Sequence, residues 1–434
     1  MTPTLIGLIA MVLALVLIAL RVPIAVSMGL VSFFGLMLLT SSRAAWGMIT
    51  AIPFDFIGNW AFTAVPMFLM MGYVCGSSGM TRNLFRSMRI LLSRLPGGLA
   101  VTSVGACALF AAASGSSVAT ASAMARIAVP EMLRHRYHPG LASGVIAASG
   151  TLGSLIPPSV LMILYAVYSE VSVGKQFMAG FIPGIISALI YMTMIVVRVK
   201  LTPSLAPPVE ESFSWNDIWS AVRDVWPLPT LILLVLGGIF TGVFTPTEAG
   251  AIGATLATLL ALFRRALSRA AFVKALVQTA SSTTSIFIIL VGTMFITKLL
   301  ALSGLPTALS ELMLGISTSP IWILFAVSVL YVVLGMFVET TGLLLLTMPL
   351  ILPVVNGAGM DLIWFGIVLI KLLEISLITP PVGLNVYVIK GAVGSLVSLD
   401  EVFRGVAWFL VMDVLTLIII IAFPILSLYL PSLM

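Results

Sequence analysis

Apolar runs about as long as a bilayer is thick recur from one end of this chain to the other, starting with LIGLIAMVLALVLIAL at residues 5–20. A helix needs roughly 20 apolar residues to cross the hydrocarbon. In lipid the backbone must satisfy its own polar groups, which helices do. Of the 434 residues, 60% are hydrophobic and 8% charged, far beyond what a soluble core needs. The fold class that follows is an all-α polytopic membrane protein. A net charge of +6 would suggest nucleic acid in a soluble protein, but the Lys and Arg residues sit mostly in short loops, where membrane orientation accounts for them. The expected surrounding is the lipid bilayer, with no nucleic-acid partner.

The N-terminus lacks the basic region and small-residue cleavage site of a removed signal, and Arg21 follows the apolar run. It reads as a retained span with its N-terminus outside. Cys75 and Cys107 stand singly in apolar segments without CxxC spacing and read as packing residues. His135 and His138 flank a loop. No Walker A, HExxH or GxSxG pattern occurs, so ATP-driven transport by this chain alone and the common hydrolase chemistries are unsupported.

Sliding the sequence over itself by 223 residues superposes Pro23 on Pro246, Pro130 on Pro353, Pro157 on Pro380 and Pro158 on Pro381. With Pro208 on Pro431, five coincidences occur against about 0.6 expected by chance from 24 prolines. The text around the double prolines agrees: SLIPPSVLMILYA answers SLITPPVGLNVYVI. Charge reverses between the copies. Residues 81–95 carry Arg82, Arg86, Arg89 and Arg94, whereas 304–318 carry no Lys or Arg; residues 41–51 carry only Arg43, whereas 264–274 carry Arg264, Arg265, Arg269 and Lys274. Positive charge accumulates on the cytoplasmic side, so equivalent segments lie on opposite faces. Each half then crosses an odd number of times, as in an inverted-topology repeat.

The division is a first repeat at 1–199, a polar cytoplasmic linker at 200–225 and a second repeat at 226–434. Each half reads as two spans (4–20 and 22–40; 227–245 and 247–263) and a third (57–79; 282–302). A re-entrant helical hairpin follows (97–113 and 117–134 about SGSS; 320–338 and 342–355 about ETT), then a proline-broken helix (140–169; 362–390) and a final span (176–198; 407–430). Segment 81–95, with arginines at i, i+4 and i+7, reads as an interfacial arm helix.

Hairpin tips and broken helices place half-helix ends at mid-bilayer, where free carbonyls hold a cation and free N–H groups an anion. Two matching sets of small polar residues supply oxygens for sodium. One is Ser114, Gly115, Ser116 and Ser117 with Thr151, Gly153, Ser154 and Pro157; the other is Glu339, Thr340 and Thr341 with Thr379, Pro380, Val382, Gly383 and Asn385. Taken singly, such residues simply let helices pack and kink. Intramembrane charges are costly and mark function by default. Arg126 either faces an anionic substrate or snorkels to the interface. Lys371 and Glu374, three apart, neutralise each other; Glu339 ligates an ion or caps a helix; Glu248 closes a TPTE capping box; Asp413 has no evident partner.

The segments AAASGSSVATASAMARIAVPEM, GTLGSLIPPSVLMILYA and SLITPPVGLNVYVIKG resemble the large membrane (M, or DctM) subunit of tripartite ATP-independent periplasmic (TRAP) transporters over essentially the whole chain. The resemblance implies an elevator-type transporter of the ion-transporter superfamily, working as a sodium symporter for organic acids in the bacterial inner membrane; both termini are expected to be periplasmic. It also implies two partners, a small membrane subunit (Q) and a periplasmic substrate-binding protein (P). It puts Na+ on the two sets above and substrate between the tips, with Arg126, Ser116 and Thr340 as contacts. Rival readings are a stand-alone sodium-coupled dicarboxylate transporter and a non-transporting membrane scaffold or enzyme.

Overall fold

The computed structural model describes residues 2–92, 94–208, 213–317 and 319–434, with only the backbone of 55–57. Residues 209–212 of the expected linker, and single positions of segments 81–95 and 304–318, lie outside the described residues. Everything regular in the described residues is helical. Seven of their helices are long and apolar enough to cross a membrane. Pro3–Ala19 and Ile24–Leu39, read above as spans, have 17 and 16 residues, about a turn short of an upright crossing.

The 223-residue offset also orders the helices. Moved along by it, Ser117–Arg134 falls on Thr340–Gly357 and Pro139–Leu155 on Leu362–Ile378. The double prolines interrupt the chain between Pro139–Leu155 and Val160–Tyr168, and again between Leu362–Ile378 and Leu384–Val393. Both Pro157–Pro158 and Pro380–Pro381 are cis.

Several expected boundaries need correction. The third span of the second half is not 282–302 but one helix, Arg269–Ser303; its counterpart in the first half is divided into Ser42–Ile57 and Ala64–Ser77. The break falls where Asn59 caps a short 3-10 turn, its side chain accepting from the Ala61 N–H at 3.0 Å. The last span is not 407–430 but Leu399–Ala422, because Ser398 and Glu401 form a capping box eight residues earlier than expected. The linker contains an amphipathic helix, Trp215–Val225, begun by a second capping box of Ser214 and Asp217. The Ser214 hydroxyl and N–H hold the Asp217 carboxyl below the ordinary carboxylate range. The capping box at Thr245 and Glu248 is present as expected. The arm helix is Met80–Leu92, and Trp215–Val225 lies along it.

The halves exchange partners. Pro246–Phe263 packs on Ala64–Ser77 and Arg269–Ser303 on Ile24–Leu39, while Leu399–Ala422 packs on Pro139–Leu155 and Leu384–Val393 on Ser117–Arg134. Cys75 and Cys107 are buried within this packing.

One buried ionic network ties the final spans to the second broken helix. Lys371 Nζ donates to Asp413 Oδ1 at 2.6 Å, to Glu374 Oε2 at 3.1 Å and to Ser187 Oγ at 3.4 Å, and the Tyr191 hydroxyl donates to Asp413. Lys371 and Glu374 pair as their spacing predicts, but Asp413 is the nearer partner. All three charges are fully buried, so their mutual pairing is what makes their burial tolerable.

Candidate functional site between the hairpin tips

The first tip is a two-residue turn between Gly98–Ser114 and Ser117–Arg134. Gly115 sits at φ 60°, and a side chain there would meet the Pro158 carbonyl at 2.7 Å, so glycine is needed for both conformation and clearance. Ser116 caps the second arm, its Oγ accepting from the Ala119 N–H at 3.4 Å. Ser114 Oγ and Thr120 Oγ1 lie 2.6 Å apart, and Thr120 also donates to the Ser116 carbonyl at 2.9 Å. Thr120, one turn into the arm, was missed by the sequence reading although its i+4 spacing from Ser116 signals it.

The broken helix closes on this tip. The Val160 N–H donates to the Gly115 carbonyl at 3.2 Å, and a Cβ on Gly153 would lie 2.7 Å from the Ser116 carbonyl oxygen. Residues 151–160 are buried throughout. Thr151 spends its hydroxyl on the Ala148 carbonyl at 2.7 Å.

Asn385 needs reassignment. Expected with the second set, it donates instead to Ser117 Oγ of the first set at 2.9 Å and to the carbonyl of Ala147, on the first broken helix, at 3.1 Å. The cause is the exchange of partners, which lays Leu384–Val393 against the arm that begins at the first tip. Its Oδ1 is buried with no hydrogen-bond partner among the described residues, an oxygen available to a cation beside the first tip.

At the second tip Glu339 caps Thr340–Gly357, accepting from the Gly342 N–H at 3.0 Å and from the Thr340 hydroxyl at 3.2 Å. The cap that its position offered is formed. Thr379 donates to the Ile375 carbonyl at 2.6 Å, and Gly383 stands at φ 55°. No hydrogen bond joins Glu339–Thr341 to Thr379–Gly383 among the described residues. Pro380 and Pro381 are exposed and Val382 half-buried, unlike the first break.

The two tips meet across a chamber of about 600 Å³. Gly115, Ser116 and Ser117 line it from the first tip, Ser154 from the broken helix, and Glu339, Thr340 and Thr341 from the second tip. The opposite wall is Ser281, Ser282 and Ser285 on Arg269–Ser303, with Tyr73, whose hydroxyl lies 2.6 Å from Ser282 Oγ. Those serines were missed; the run SSTTS inside an apolar helix was the available signal. Thr379, Pro380, Val382, Gly383 and Asn385 do not line the chamber. Arg126 lines a second cavity of about 400 Å³ that shares Ser116, Ser122 and Tyr73 with the first.

Chemically, the chamber sets a group of hydroxyls and the Glu339 carboxylate among apolar side chains such as Ile24, Leu69 and Leu377, and two helices, Ser117–Arg134 and Thr340–Gly357, begin at it. Helix N-termini favour an anion. The C-terminus of Gly98–Ser114 and the hydroxyl oxygens beside it favour a hard cation.

The comparisons with known proteins agree in kind. Residues 11–426 match the family model described as the DctM component of the tripartite ATP-independent periplasmic transporter. The chain is 35% identical over 382 residues to the C4-dicarboxylate TRAP transporter large permease protein DctM of Pseudomonas aeruginosa, covering 87% of this chain and 88% of that one. It is 31% identical over 381 residues to the isethionate TRAP transporter permease protein DctMQ of Oleidesulfovibrio alaskensis, covering 85% of this chain and 58% of that longer one. Its fold is similar to the crystal structure of the Alcanivorax borkumensis YdaH transporter, with a TM-score of 0.57, 15% identity, and 100% and 98% of the two chains covered. A polytopic helical chain with a hydroxyl-lined chamber between two helix-capped tips, matched almost end to end by one transporter family, belongs to that family: it is a DctM-type large permease subunit of a TRAP transporter, and not an enzyme.

Proposed function

We propose that this permease carries an organic-acid anion across the bacterial inner membrane by sodium symport, with the anion held in the chamber between the two hairpin tips. The observation that carries this reading is the chamber itself, where both tips and two helix N-termini converge. The tips are read as re-entrant, and the reversed charges of the equivalent segments support an inverted repeat, with 200–225 cytoplasmic and both termini periplasmic. Thr340–Gly357, at 18 residues, is long enough to cross a thin bilayer, so its re-entry rests on the tip rather than on its length. Sodium is placed first at Ser114 to Ser117 with Thr151, Gly153, Ser154 and now Asn385. We assign the second site to Glu339 to Thr341 with the Thr379 to Gly383 break, of which Pro380 and Pro381 are exposed. Movement of the hairpins and broken helices as a unit against the remaining helices gives an elevator.

The relatives' names speak of C4-dicarboxylates and of isethionate, a sulfonate, both organic-acid anions. The longer DctMQ relative supports a separate Q subunit beside this chain, and a periplasmic binding protein completes the tripartite system. Reconstitution with Q tests the last element. Uptake is expected only when the cognate binding protein is present on the outer side. Full uptake without any binding protein would instead make the chain a stand-alone dicarboxylate carrier.

A further inference from the structure

The second cavity, beside the chamber, is lined by three cations from three different elements: Arg82 of the arm helix, Arg126 of the first hairpin and Lys274 of Arg269–Ser303. None of them is within ion-pair distance of a carboxylate among the described residues. Their neighbours in sequence are otherwise engaged. Arg89 pairs with Glu131 at 2.5 Å, and Arg264 donates to the Asp224 and Arg223 carbonyls at 3.0 and 3.1 Å.

Orientation in the membrane asks only that positive charge lie on one side. It does not ask that cations left without acidic partners converge on one cavity from three helices. This cavity opens onto Ser114 and Ser116 of the first tip and is walled elsewhere by Leu69, Phe110 and Ile127. Like charges around a low-dielectric cleft concentrate an oppositely charged ligand, by about tenfold or more.

We propose that Arg82, Arg126 and Lys274 form a vestibular site for a carboxylate or sulfonate anion, distinct from the chamber and leading from it toward the cytoplasm. The proposal rests on the reading of the chamber as the transport site. Because Arg126 belongs to the hairpin while Arg82 and Lys274 belong to the arm and to Arg269–Ser303, the site is complete only when the hairpin stands where this structure has it. It therefore receives substrate in this one state of the cycle, and is dismantled when the hairpin moves.

The test uses the full permease with its Q partner in nanodiscs, carrying Gln278→Cys, which places a thiol in the vestibule wall; the parent chain, whose two cysteines are buried, sets the background. Ser77→Cys, lining the same cavity, repeats the measurement independently. An anionic methanethiosulfonate should react about tenfold faster than a cationic one, relative to a free thiol. That preference should collapse in the Arg82→Gln/Lys274→Gln variant and survive in Arg82→Lys/Lys274→Arg. Succinate should slow labelling more than chloride does at matched ionic strength. An unchanged preference in the neutral variant, or equal protection by chloride, overturns the proposal. A flat preference combined with loss of uptake in chamber variants would sink the vestibule and leave the chamber standing. The reverse pattern would remove the chamber.

Discussion

Leucine in place of Ser116 or Thr340 is expected to cut uptake on the order of 100-fold or more while leaving membrane insertion and monodispersity intact. Both residues line the chamber, and each stands at the first turn of an arm whose N-terminus the chamber needs. At position 116 the change also removes the cap on the Ala119 N–H and puts an apolar side chain into the chamber wall. Losing a cap costs about 1 kcal/mol, which is why the folded protein should survive and the transport should not. Uptake at the unmodified rate in both variants would take the tips out of the pathway.

Removing Lys371 should have the largest effect on stability. Lys371→Met leaves Glu374 and Asp413 fully buried without a counter-charge, a situation that costs about 3–5 kcal/mol. The folded yield in detergent should fall steeply and the apparent Tm with it. Neutralising both acids in the same chain, Glu374→Gln with Asp413→Asn, should recover most of the loss. The two acids are not equivalent. Asp413 accepts from both Lys371 and Tyr191, whereas the bond that Glu374 accepts from Lys371 is the longer one. Asp413→Asn alone should therefore destabilise more than Glu374→Gln alone. Lys371→Met with the stability of the unmodified protein would mean that the network contributes nothing to folding.

The parts of this architecture that were legible in advance are those written in glycine and proline. Pro157 with Pro158 and Pro380 with Pro381 fall where one helix ends and the next has not begun, so both helix breaks could be placed to within a few residues. The capping boxes at Ser398 and Ser214 carry an equally local signal; reading them would have put the last span and the linker helix where they are. What depended on the exchange of partners between halves was not legible. Asn385 follows the second break in sequence but bonds Ser117 and Ala147 of the first half, because matching the halves position by position assumes that each site is built within one of them. Asp413 lacked an evident partner because neither of its partners is a near neighbour in sequence. Its partners Tyr191 and Lys371 lie 222 and 42 residues away, on helices brought together only by packing. Ser281, Ser282 and Ser285 were hidden differently: serines scattered in an apolar helix are ordinary, and only the approach of two tips makes a chamber wall of them.

Sodium coupling joins the two tips to the work they are proposed to do, and one flux experiment addresses it. The permease is reconstituted with its Q subunit and cognate binding protein into liposomes, and uptake of the labelled organic acid is followed under an inward gradient of sodium or, at equal ionic strength, of potassium. Concentrative uptake with sodium and none above background with potassium is the predicted result; equal uptake in the two would contradict it.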